Sequence, residues 1–279
     1  MRKTAMAASG FALVLALTAC GGDDGGSNDS AVGGGEAGTN LFTDPAKLAE
    51  AASQQTAASK SSKFTMQMNM AGQQMSAQGE GSYAGENTAV AMTMDMAGQQ
   101  MEMRFVDQTM YMKLPQQLSA QTGGKPWVKI SAEGTDPLSQ QLGGQLDQMA
   151  AQSDPSKSLE YVKQAGNIVS SEETTLDGQQ VTHYTVELDF KKIADQMAAG
   201  GLTQEQIAQL SGKIDKLPMQ LWLNSDQLPV QVSMDMTKIM EAAGAGNQKA
   251  EMVMKYTDWG APVNVEAPPA SEVGELPSN

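Results

Sequence analysis

Between residues 64 and 114, apolar and polar positions alternate with a period of two. Phe64, Met66, Met68 and Met70 are interleaved with Thr65, Gln67 and Asn69, the pattern of a strand with one dry and one wet face. The six residues Met70-Ala71-Gly72-Gln73-Gln74-Met75 recur as Met96-Ala97-Gly98-Gln99-Gln100-Met101, an internal repeat of a hairpin. A tight turn needs a positive φ, which Gly72 and Gly98 adopt without steric cost. With the turn at Gly72-Gln73, Met70 faces Met75, and the dry face of the next strand runs through Met75, Ala77, Gly79, Gly81 and Tyr83. The second copy sets Val90, Met92, Met94 and Met96 against Met101, Met103 and Phe105. A turn at Asp107-Gln108 then brings Phe105 opposite Met110, followed by Met112 and Leu114. All five strands keep their apolar residues on one face of a meander, as a half-buried antiparallel sheet requires.

Further strands are predicted at Trp127–Ile130, Ile168–Thr175, Val181–Asp189, Leu217–Asn224, Pro229–Met236 and Glu251–Tyr256, with turns at Asp177-Gly178 and Ser225-Asp226. Helix starts use one repeated device. Asp44-Pro45, Asp136-Pro137 and Asp154-Pro155 each place an N-cap acceptor before a Pro at the first helical position. Leu138, Leu142, Leu146 and Met149 follow the second at helical spacing, Thr203 and Gln206 form a capping box before Ile207 and Leu210, and Asp189 caps a segment through Ile193 and Met197. The expectation is an α+β fold of about eleven antiparallel strands with a few helices over the dry face.

The N-terminus changes the picture from any globular domain to an exported one. Arg2 and Lys3 precede an uncharged apolar run from Ala5 to Leu17. The run is short for a membrane span and has the order of an export signal. Leu17-Thr18-Ala19-Cys20 looks like the lipobox of bacterial lipoproteins, in which the Cys thiol receives a diacylglyceryl group. Residues 1–19 are therefore read as signal peptide and Cys20 as the lipidated residue. Cys20 is the only cysteine, so the mature domain has no internal disulfide. Residues 20–40, rich in Gly, Ser, Asp and Asn, form a stalk with a mean reach of roughly 25 Å. Residues 41–269 are the folded domain, and 270–279 an acidic, loose tail. Without Arg2 and Lys3 the chain has 16 basic residues against 32 acidic, a net charge of −16. This argues against nucleic acid as a partner and against adhesion to an anionic membrane by a basic patch.

Three stretches carry a family likeness: Leu176 to Val186 (LDGQQVTHYTV), Leu221 to Pro229 (LWLNSDQLP) and Tyr256 to Val265 (YTDWGAPVNV). With the lipobox and stalk, and in this order over most of the mature chain, they resemble the LppX/LprAFG lipoproteins, relatives of the LolA and LolB carriers. The resemblance implies a single strongly curved antiparallel sheet, a half-barrel, with helices packed in its concave face around an apolar cavity. It further implies an extracytoplasmic, lipid-anchored protein that binds or moves a lipid or lipoglycan, with an envelope transporter as a partner. This chain departs from the family in using Met where branched aliphatics are usual.

The candidate cavity wall comprises Met66, Met68, Met70, Met75, Ala77, Gly79, Met92, Met94, Met96, Met101, Met103, Phe105, Met110 and Met112. Three readings of it remain open. Met fills gaps in ordinary cores, which would make this a structural or regulatory surface lipoprotein with a filled core; it also suits a wall that adapts to acyl chains, with Ala77, Gly79 and Gly81 leaving space; and thioethers at Met-x-Met spacing suit Cu(I). His183, the only histidine, is expected to be exposed on the wet face, between Thr182 and Tyr184 on the dry one. Trp127, Trp222 and Trp259 are expected to pack rather than to serve as stacking platforms. One His and no free Cys assemble neither a Cys–His pair nor a cluster of His ligands, and no phosphate-binding loop occurs. No cofactor or enzymatic activity is expected.

Overall fold

The computed structural model describes residues 41–274 except 71, 84–87, 97, 116–118, 137–138, 141–142, 144–145, 147–153, 199–203, 243, 245 and 247. Residues 1–40, which contain the expected signal peptide, Cys20 and stalk, and Thr203 lie outside the described residues.

Twelve strands form one sheet: β1 (Ser61–Met70), β2 (Gln73–Ser82), β3 (Ala89–Met96), β4 (Gln99–Val106), β5 (Thr109–Lys113), β6 (Trp127–Ile130), β7 (Gly166–Leu176), β8 (Gln179–Asp189), β9 (Lys216–Leu223), β10 (Pro229–Asp235), β11 (Glu251–Thr257) and β12 (Val273–Gly274). Their spatial order is β12-β6-β5-β4-β3-β2-β1-β11-β10-β9-β8-β7. The fold is α+β, and the sheet is large, curved and unclosed, as a half-barrel is. Ten of its eleven pairings are antiparallel; β12 lies parallel to β6, so the sheet is mixed. The twelfth strand comes from residues read as a loose tail. Val273 and Gly274 pair with Trp127 and Val128, and Lys125 Nζ donates to the Val273 carbonyl at 2.9 Å. Two residues of strand carry no periodicity, so the pattern could not show them.

Five helices are described: α1 (Pro45–Ser59), α2 (Ser156–Ala165), α3 (Phe190–Ala198), α4 (Gln204–Ser211) and α5 (Thr237–Ala242). Asp44 caps α1, its carboxylate accepting the N–H groups of Ala46 at 2.8 Å and Lys47 at 3.1 Å. Asp154 accepts the Ser156 N–H at 2.8 Å before α2, and Asp189 the Lys191 N–H at 3.1 Å before α3. Asp136 accepts the Ser139 N–H at 3.0 Å, and Leu146 is buried in the core, while most of the helical stripe expected there lies outside the described residues. The helices bury Leu48, Leu159, Val162, Phe190, Ile193, Ile207 and Leu210 in one core with Tyr184, Val186, Leu188, Leu217, Leu221 and Val232 from the sheet. Each fully buried Leu contributes about 1.5–3 kcal/mol against exposure.

The hairpin at Asp107-Gln108 has the expected register, Phe105 opposite Met110, with φ of 49° and 56° at its two turn residues. The repeated hairpins differ from expectation. Met70 pairs with Gln73 and Met68 with Met75, so the first turn ends at Gly72; Met96 pairs with Gln99 and Met94 with Met101 in the second, which ends at Gly98. Glycine therefore takes the second turn position, with φ of 78° at Gly72 and 84° at Gly98, and Asp95 accepts the Gly98 N–H at 3.0 Å. The slip is two residues. It leaves every side chain on its expected face, because side chains alternate with period two.

Candidate functional site

Backbone pairing arranges the helix-bearing face into continuous rows that cross the strands. One row runs Met219, Met234, Met252, Met68, Met75, Met96. The next runs Leu221, Val232, Met254, Met66, Ala77, Met94, Met101. A third runs Tyr256, Phe64, Gly79, Met92, Met103, Met112, Val128, and a fourth Ser62, Gly81, Val90, Phe105, Met110, Ile130. None of these positions carries a charge.

Burial divides the face into a closed end and an open end. The fourth row is sealed: Val90 is 2% exposed, Ile130 0%, Met110 6% and Phe105 8%. Toward the hairpin turns, Met66, Met68, Met70, Met75, Met94, Met101, Met103, Met252 and Met254 are only half-buried. Where the face is sealed the residue is usually Val, Leu, Ile or an aromatic; Met110 and Met219 are the sealed methionines. Fourteen cavity-wall residues were singled out from sequence, and the strand pairing brings them onto this one face. The side chain of Met96 lies outside the described part.

The two glycines on the face do not leave the space expected of them. A Cβ on Gly79 would lie 2.6 Å from Phe64 Cζ and 2.4 Å from the Ala91 carbonyl oxygen; one on Gly81 would lie 2.8 Å from the Tyr83 ring. The rings of Phe64 and Tyr83 fill what the glycines vacate. Tyr83 is held by its hydroxyl, 3.1 Å from Ser62 Oγ, and burial pushes its pKa above the ordinary phenol value. Burial likewise raises Tyr256.

A cavity of about 550 Å³ lies on the opposite, polar face. After β11 the chain is pinned by Gly260, whose N–H donates to the Ser61 carbonyl, and by Trp259, whose indole N–H donates to the Pro229 carbonyl at 2.8 Å. Residues 264–266 then wall the cavity before the chain reaches β12. The other walls include Lys63, Thr65, Gln78, Glu80, Thr93, Glu102, Arg104 and Lys255. Its cations are engaged: Lys63 with Asp258 at 3.0 Å, Lys255 with Asp177 at 2.6 Å, and Arg104 with Glu102 at 3.0 Å. Arg104 also donates to the Glu266 carbonyl at 3.2 Å and lies 4.8 Å from the centre of the Trp127 ring. Burial raises the Glu102 carboxyl, but hydrogen bonds from Lys113 and Arg104 outweigh it and hold the group below its ordinary value. Composition offered no signal for this cavity, since it forms only when a distant segment returns across the sheet.

His183 is on the polar face as expected, flanked by inward-facing Thr182 and Tyr184, but the Trp222 ring covers it and it is not fully exposed. It is half-buried, stacked on Trp222 at 4.4 Å, with Nε2 2.6 Å from Gln220 Oε1 and Nδ1 3.3 Å from Glu172. Among the described residues no three His, Cys, Asp or Glu side chains gather as a metal site, and no helix is long and apolar enough to cross a membrane.

No family model matches the chain. A protein of Streptomyces griseus, described as an uncharacterized 31.2 kDa protein in the rplA-rplJ intergenic region, is 23% identical over 179 residues, 61% of this chain and 55% of the relative. The chain thus spans about half the length of that curated relative. Among solved structures, LprF from Mycobacterium bovis aligns over 80% of this chain and 97% of its own, with 16% identity and a TM-score of 0.45. MucB aligns over 81% and 61%, with 14% identity and a TM-score of 0.33. A DUF1329 family protein from Desulfovibrio piger aligns over 77% and 92%, with 9% identity and a TM-score of 0.24.

Proposed function

We propose that this protein is an envelope lipoprotein, anchored through lipid on Cys20, whose methionine face binds and hands on the apolar tails of a lipid or lipoglycan. One observation carries the reading: methionine is concentrated at the half-buried end of an uncharged sheet face, while the sealed end is mostly branched and aromatic. A sealed core gains from stiff side chains that fix one packing. An open apolar wall gains from flexible thioethers that mould to a ligand. A tail entering from a bilayer exchanges one apolar surrounding for another, so the step is nearly neutral in free energy and suits transfer. The lipobox and the likeness to the LppX/LprAFG lipoproteins point the same way. Phe64 and Tyr83 fill the space beside Gly79 and Gly81, so the proposed ligand lies over the two methionine rows nearer the hairpin turns rather than against the glycines.

The test is fluorescence titration with anthroyloxy-labelled palmitic acid. Met66→Glu puts a charge on the inner face and should weaken binding at least about tenfold, because an unpaired buried charge is costly. Gln67→Glu, one residue along on the exposed face, should leave it unchanged. Absence of saturable binding by the parent domain, or equal effects of the two substitutions with folding intact by circular dichroism, would refute the reading.

A further inference from the structure

We infer that the open end of the methionine face is a site of oxidative modification, its thioethers taking oxygen from peroxides or hypohalous acids, and that this converts the ligand-binding wall from apolar to polar. The consequence for binding rests on the lipid reading of the same face; the modification does not.

Oxidation of methionine follows access of the oxidant to sulfur. Met66, Met68, Met75, Met94, Met101 and Met252 are half-buried, whereas Met219, in the same row as Met68, is 0% exposed and Met110 is 6%. The reactive and the shielded thioethers thus occupy one sheet, which makes exposure the main variable. They are also contiguous: Met68 pairs with both Met75 and Met252, and Met94 with Met101. No free thiol is expected to consume the oxidant first, since the sole cysteine is Cys20. With a peroxide, the sulfur lone pair attacks the terminal oxygen and the S–O bond forms as the O–O bond breaks. Sulfur loses two electrons, the peroxide is reduced, and water or an alcohol leaves carrying the proton. The product is a strong dipole on a face whose rows contain no charged partner, so adjacent sulfoxides turn a stretch of apolar wall into a polar one.

The experiment exposes the mature protein to hydrogen peroxide and follows each methionine by peptide mass mapping, with labelled-palmitate binding measured in parallel. The expected result is oxidation of Met66, Met68, Met75, Met94, Met101 and Met252 at least about ten times faster than Met219 and Met110. Probe binding should fall as they oxidise, and return after treatment with two methionine sulfoxide reductases, one for each sulfoxide epimer. Equal rates at all these positions, or faster oxidation of Met219, would overturn the modification site whatever the probe does. Selective oxidation with binding unchanged would overturn the switch. If untreated protein binds no probe, the lipid reading fails, and the mapping alone still decides whether the site exists.

Discussion

Replacing Gly79 with Ala should destabilise the domain although it adds a single methyl group. The new Cβ would sit 2.4 Å from the Ala91 carbonyl oxygen and 2.6 Å from Phe64 Cζ, roughly 1 Å inside ordinary contact on both sides. The carbonyl belongs to the paired strand β3 and cannot move without disturbing its ladder. Overpacking of this kind costs about 1–3 kcal/mol, and the loss of glycine's freedom in the unfolded chain returns about 0.4–1 kcal/mol. Taking the middle of each range, the net is a loss of about 1.3 kcal/mol, or a fall in Tm of about 3–5 °C for a domain of this size. Urea unfolding followed by far-UV circular dichroism would measure it, with exposed Gln78→Ala as a neighbour expected to change stability by less than about 0.5 kcal/mol. In a Phe64→Leu background, which lacks the ring tip, the penalty of Gly79→Ala should shrink, a coupling of about 0.5 kcal/mol or more. A neutral or stabilising Gly79→Ala would refute the reasoning, because a methyl group entering a void gains contacts.

Cys20→Ala should deplete the mature protein from the membrane fraction and abolish the added acyl mass; retention of an unacylated form in membranes would contradict the anchor. Asp44→Ala removes the acceptor of two α1 N–H groups and should cost about 1 kcal/mol in urea unfolding, whereas Asp44→Ser should recover most of it. Glu102 is held below its ordinary value in the folded state, so its contribution is complete above the unfolded carboxyl value and is lost as pH falls through the folded one. The stability difference between the parent and Glu102→Gln should therefore shrink on acidification from neutral pH to about pH 3; a difference that grows would contradict the assignment.

Hairpins at Asp107-Gln108 and Asp177-Gly178 were legible because turn residues of known preference sit between strands whose alternation allows one register. The turns at Gly72 and Gly98 were legible only to within two residues, since a slip of two preserves every face and the hydrophobic pattern is blind to it. The α1 cap could be read from Asp44-Pro45, because capping is local. Which face the methionines share was equally readable. How far each is buried was not, because that depends on helices drawn from elsewhere in the chain. The same limit explains Gly79: a missing side chain is visible in sequence, but the Phe64 ring that fills its place comes from the neighbouring strand. The return of residues 264–274 across the polar face rests on a few long-range contacts, among them Arg104 to Glu266 and Lys125 to Val273, that no spacing announces.

Native mass spectrometry of the mature lipidated protein, released gently from its own membrane, tests the central claim most directly. The account predicts a population carrying a non-covalent lipid in addition to the acyl mass on Cys20, and its loss when Met66 and Met94 are both replaced by Glu while the covalent mass stays. Protein that carries only the covalent acyl mass, and takes up no lipid when incubated with vesicles of the membrane's own lipids, would contradict it.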